Sequence, residues 1–313
     1  MTLVDDLQDV VDYMIHFLFR SVVLLRFSLL LKVIIAPFQE VDAEVNEVRI
    51  AVSDLLAGAI VEPLNNLAEE HSIDLSIDTI GSLPAIDYLR TGRIDLAIVA
   101  TPETIELPGG DFQVCPFAFD ATLVAVNDAN PITEISLSSL SAIFGVNNDL
   151  NFSVWGDLKL LGWENRAIKP LAGQNDETIS LELFKFMVLD GEEMKITVAE
   201  VKDSEVEDLI AADTNSIGIL PDFPEGKQVK VLMISADSES PAFGPTNDNI
   251  YYGDYPIRLP FKILYKKNDL ENIKDTLRIL LSNELADVLS ANNLYVPPVA
   301  VRRKLMLDLK LVE

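Results

Sequence analysis

Cysteine, histidine and positive charge are all scarce in this 313-residue chain. The single cysteine, Cys115, excludes an intramolecular disulfide, so cysteine usage leaves the redox compartment open. It lies in the apolar run Val114-Cys115-Pro116-Phe117, where a buried, inert thiol is expected rather than a nucleophile. The two histidines, His16 and His71, supply neither a triad base nor, with one thiol, a transition-metal site. No cofactor or metal is therefore expected. Lys and Arg number 24 against 50 Asp and Glu, a formal charge of -26. A field of that sign repels nucleic acid and anionic lipid at long range, so neither is expected as a partner. Also missing are a P-loop, a Rossmann glycine fingerprint, a nucleophile elbow and a zinc-protease motif. Asp176 and Glu177 are adjacent carboxylates, but side chains on neighbouring residues diverge and make a poor acid–base pair. Enzymatic activity is not expected.

What is present is apolar material for a substantial core, 49% of the residues, in a chain longer than one core usually spans. Two lobes are the default. Residues 1–13 are acidic and fit no targeting class, whereas 14–43 are strongly apolar and begin at Met14. Arg20, Arg26 and Lys32 point in three directions on a helix, which rules out a clean amphipathic surface helix. They also cut the apolar run into pieces short for a membrane span. A secretory signal cut after Ala43 is the preferred reading, followed by a membrane anchor and then a buried helix. A periplasmic or cell-surface location follows from the first two.

Beyond residue 45 strands alternate with helices, the pattern of parallel βαβ units in an α/β fold. Strands are predicted over 48–52, 73–78 and 94–99, with helices over 60–70 and 85–91 between them. Further strands are predicted over 122–127, 167–171, 217–220 and 261–265, and helices over 136–145, 179–189, 205–212, 271–282 and 285–291. Open α/β sheets hold ligands beyond the carboxyl ends of their strands. Three polar turns fall there: Ser53-Asp54, Gly81-Ser82 and Thr101. A fourth, containing Asn175, Asp176 and Thr178, repeats the strand–polar turn–helix logic later in the chain. Hydroxyls and helix N–H groups gathered at such ends suit an oxyanion, although Ser, Thr and Asp are also ordinary helix N-caps.

The chain also resembles the phosphate-binding-protein-like substrate-binding proteins of ABC transporters, which have the type II periplasmic-binding-protein fold. The resemblance runs from about 47 to 303 and is clearest over 116–145: a Pro, an apolar strand with an Asp, the Asn130-Pro131 turn, and a Leu-rich helix ending in Ile143-Phe144. Trp155-Gly156-Asp157-Leu158, the segment 211–219 and Tyr255-Pro256-Ile257-Arg258-Leu259-Pro260 match later family elements in order. The resemblance implies two lobes, each a mixed sheet flanked by helices. Residues 1–45 form a signal or anchor segment, 46–122 with 256–313 form lobe 1, and 123–255 form lobe 2. It further implies hinge closure on a small oxyanion or polar solute, with crossing segments near 122–126 and 255–265. The closed form would dock on ABC transporter membrane subunits. A ligand-silent or sensory module contacting another protein is the alternative.

One stretch departs from the family pattern. Its phosphate binders usually carry a Ser-Gly-Thr turn preceded four residues earlier by Arg, whose planar donors match phosphate oxygens. Here the turn is Asp176-Glu177-Thr178, and Ala172 stands in the Arg position. Two carboxylates in place of neutral donors are expected to repel a dianion. Arg90 and Arg166 are the cations that could compensate, but both are expected at the surface.

Overall fold

The computed structural model describes residues 47–102, 107–146, 150–174, 178–226 and 228–311. The signal-or-anchor segment, Asn175 and Asp176 all lie outside them. From Asn46 onward the chain is one compact unit built on two five-stranded sheets.

In the first sheet, β1 (Val48–Val52) pairs in parallel with β2 (Leu75–Thr79) and with β3 (Leu96–Ala100). The antiparallel strands β4 (Phe112–Ala121) and β12 (Arg258–Lys266) complete the order β2-β1-β3-β12-β4. Strand alternation divides this sheet into two unequal faces. Ile50, Val52, Leu96 and Ile98 enter the main core, where α1 (Asp54–Glu70) contributes Leu56, Ile60 and Leu64. Ala51, Ala97 and Val99 point the other way, and their small side chains let α2 (Ser82–Thr91) lie close through Ala85, Ile86 and Leu89.

The second sheet contains β5 (Leu123–Asn127), β7 (Lys169–Gln174), β8 (Ala199–Lys202), β9 (Ser216–Leu220) and β10 (Val229–Val231) in the order β10-β5-β9-β7-β8. β7 runs parallel to β8 and β9, while β5 runs antiparallel to β9 and β10. Both sheets are therefore mixed. A short parallel pair, β6 (Glu134–Ser136) and β11 (Met233–Ser235), lies beside them. The helices of this half are α3 (Leu137–Phe144), α4 (Ser180–Leu189), α5 (Asp203–Ala212) and α6 (Asn247–Tyr252). Helices α7 (Leu270–Leu280), α8 (Asn283–Ala291) and α9 (Val299–Asp308) follow β12.

Gly218 in β9 explains how closely α5 packs. A Cβ there would stand 2.7 Å from both Val206 and Ile210 side-chain atoms, so only glycine permits the approach. No helix among the described residues is long and apolar enough to cross a membrane.

The backbone passes from the first sheet to the second at Thr122 and returns over residues 255–257. These crossings are tied together by buried hydrogen bonds. The Thr122 N–H donates to the Ile257 carbonyl at 3.1 Å, and the Tyr255 hydroxyl donates to the Thr122 carbonyl at 2.8 Å. The Thr122 hydroxyl donates to the Ser180 carbonyl at 2.9 Å, which links this crossing to the start of α4.

Candidate functional site

The carboxyl ends of β1, β2 and β3 meet at one sheet edge. The Ser53 N–H donates to the Ile98 carbonyl at 2.8 Å, and the Ile80 N–H to the Val52 carbonyl at 3.1 Å. The Ala100 N–H donates to the Ser82 hydroxyl at 2.9 Å. Ser53, Gly81-Ser82 and Thr101 therefore gather where the sequence pattern expects them. Ser53 precedes α1 but makes no side-chain cap bond there, and the Ser82 hydroxyl accepts from β3. Ser53 and Thr101 are fully buried, and the Thr101 hydroxyl has no hydrogen-bond partner.

A cavity of about 520 Å³ opens next to this edge, between the two sheets' connecting segments. The first half contributes the opening of α1 from Asp54 to Ala59, Asp120 at the end of β4, and the turn 292–294 after α8. The second half contributes Thr178, Ile179 and Ser180 at the start of α4, with Pro221 and Asp222 beyond β9. Of the candidate residues, Asp54 and Thr178 are on the wall. Ser53, Gly81, Ser82 and Thr101 stand outside the lining, and Asn175 and Asp176 lie outside the described residues. Sequence reasoning missed Asp120, Asp222 and Asn293. Asp120 ends an apolar strand in the segment of clearest family resemblance, which was the available signal.

The wall is electrostatically unusual for an anion site. Asp54, Asp120 and Asp222 line it, and no Lys, Arg or His does so among the described residues. Burial pushes the Asp120 carboxyl up to about 6; the charge of Asp222 adds to the rise, and a hydrogen bond from the Ala121 N–H opposes it. Asp222 is raised too, first by burial and then by the charge of Asp203, against a hydrogen bond from Asn293. Tyr295, next in sequence to the 292–294 turn, is pushed up to about 12 by burial and by Asp222 and Asp120. Behind the wall the Thr178 hydroxyl donates to Asp203 Oδ2 at 2.8 Å, while Asp203 Oδ1 is buried without a partner. Asp203 lies so close to β7 that a Cβ on Gly173 would fall 2.0 Å from Oδ1.

The compensating cations are elsewhere, as their expected surface positions imply. Arg90 is exposed and pairs with Asp87, and exposed Arg166 stacks over the Trp163 ring at 4.0 Å. Ala172 is fully buried within β7. Cys115 is buried and its thiol is pushed up to about 11 by desolvation, the environment of an unreactive cysteine.

The sequence profile of the PBP superfamily domain matches residues 39–281, most of the chain. The chain belongs to this family. Solved structures agree with the two-lobed PBP fold. PstS from Borrelia burgdorferi is 17% identical, with a TM-score of 0.65 over 80% of this chain and 99% of its own. A possible phosphate binding protein from Planctomyces limnophilus is 16% identical, also with a TM-score of 0.65, over 85% of this chain and 99% of its own. An ABC-type phosphate transport receptor from Vibrio cholerae is 20% identical, with a TM-score of 0.58 over 80% and 100%. The curated protein SphX of Synechococcus elongatus is 24% identical over 239 residues, 72% of this chain and 69% of SphX. Membership in the PBP superfamily goes with a solute-binding role.

Proposed function

We propose that this PBP-superfamily chain is the phosphate receptor of an ABC import system, working outside the cytoplasm and delivering its solute to membrane subunits without converting it. One observation carries the reading: the cavity is walled by helix starts from both halves of the molecule, α1 on one side and Thr178–Ser180 on the other. Helix starts present N–H groups that can donate to an oxyanion without a cation. Two of the solved structures similar to this chain are named an ABC-type phosphate transport receptor and a possible phosphate binding protein, which makes phosphate the first ligand to test. The crossings at Thr122 and 255–257 support lobe limits of 46–122 with 256–313, and 123–255. A ligand bridging both walls would favour the closed arrangement through its greater affinity for it.

Calorimetric titration of the protein with inorganic phosphate tests this. Saturable binding, weakened at least about tenfold by Thr178→Ala because the turn entering α4 loses its hydroxyl tie to Asp203, is the expected result. An absence of heat and of any thermal shift with phosphate would instead favour a ligand-silent module contacting another protein.

A further inference from the structure

The wall carries a charge problem that its donors alone do not solve. Asp120 enters from the end of β4 in the first half and Asp222 from the loop after β9 in the second, and both face the same cavity. The other ionisable groups around them make matters worse for an anion. Asp54 sits in the first turn of α1, Asp203 lies behind Thr178 at the start of α5, and Tyr295 follows the 292–294 turn. No cationic side chain is on the wall among the described residues, and the position that could bring one from β7 is the buried Ala172. Nor is any group of three or more His, Cys, Asp and Glu among the described residues arranged to hold a metal ion. A compact counter-charge that fits such a wall is the proton.

We propose that solute capture in this cleft is coupled to uptake of a proton from solvent by the facing Asp120–Asp222 pair, so that phosphate is held more tightly as the medium becomes more acidic. The inference rests on the phosphate-receptor reading. When the cleft is empty the carboxylates retain access to water, and their repulsion across the gap favours separation of the two walls. When an anion enters and the walls approach, water is excluded and a second negative charge beside Asp120 or Asp222 strongly disfavours the ionised acid. One proton then moves from bulk solvent to a carboxylate oxygen, turning an acceptor that repels phosphate oxygen into an O–H donor that binds it. The upward displacement of both carboxyl groups, by burial first and then by neighbouring charge, agrees with this geometry. The hydrogen bond from Asn293 favours the ionised form of Asp222, which leaves Asp120 as the proton's main residence.

The test is titration calorimetry of inorganic phosphate into the full chain at pH 5.5 to 8, repeated at each pH in buffers of different ionisation heat. That comparison counts protons taken up per phosphate. The expected wild-type result is net uptake beyond what phosphate itself exchanges, with affinity falling by roughly tenfold per pH unit once the pair is ionised. Asp120→Asn and Asp222→Asn, each checked by thermal melting for a folded state, should take up fewer protons and bind phosphate more tightly than wild type at pH 8. Equal proton counts in wild type and both folded variants would overturn the coupling and leave the phosphate reading standing. Failure of wild type to bind phosphate anywhere in this range would overturn both.

Discussion

Asp120 is the residue whose chemistry most exceeds its position in the fold. It ends an apolar strand, yet the backbone needs it only for its own Ala121 N–H. Burial in the folded protein pushes its carboxyl up to about 6, above the ordinary carboxylate value of 3.8. Between those values the folded state binds more protons, so stability is greatest below pH 4 and is lost as pH rises through about 6. Replacing Asp120 with Asn removes that loss. Urea unfolding should find the variant more stable than wild type by about 1–2 kcal/mol at pH 8, with the difference shrinking as pH falls and gone only well below pH 4. At this scale the sequence was partly readable. Asp54 and Thr178, singled out because ligands in α/β sheets sit beyond strand ends, both line the cavity. Asp222 was not singled out, because it follows Pro221 in a loop whose place against β4 depends on contacts between distant segments.

The elements were legible wherever apolar residues alternated or recurred every three to four positions. β1, β3, β5, β9 and β12 all lie at predicted strands, and α4, α5, α7 and α8 at predicted helices. The errors have local causes. The first helix begins at Asp54 and not at 60, because Gly58 and Pro63 depress helix propensity over its opening turns while buried Leu56, Ile60 and Leu64 hold it in place. β4 escaped prediction because it contains Pro116, which cannot donate in a ladder and sits where the pairing with β12 shifts register at a bulge. β7 extends to Gln174, so part of the expected polar turn is strand. The crossing segments were foreseen, but the bonds that join them were not. Tyr255 is fully buried with its hydroxyl on the Thr122 carbonyl, and Tyr255→Phe should strand that carbonyl. The expected loss is about 1–3 kcal/mol in denaturant unfolding, with lower phosphate affinity as the lobes lose their common pivot.

For the whole molecule, the chain's strong negative charge and its acidic cleft are compatible with anion capture only if local donors and protons do what distant cations do elsewhere. In the proposed receptor the two halves present donors from opposite sides, and closure of the lobes would exclude the water that weakens them. Proposed capture therefore requires closure of the halves around a solute. The chain is well suited to measuring it: Leu83 on one half and Phe223 on the other are exposed, while the native Cys115 is buried and resists labelling. Spin labels on Leu83→Cys and Phe223→Cys in a single protein allow the distance between the halves to be read by pulsed dipolar spectroscopy with and without phosphate at pH 6. The account predicts a longer, broader distance distribution that collapses to a shorter, narrower one when phosphate is added, and a weaker response at pH 8. One unchanging distribution in the presence of saturating phosphate would contradict it.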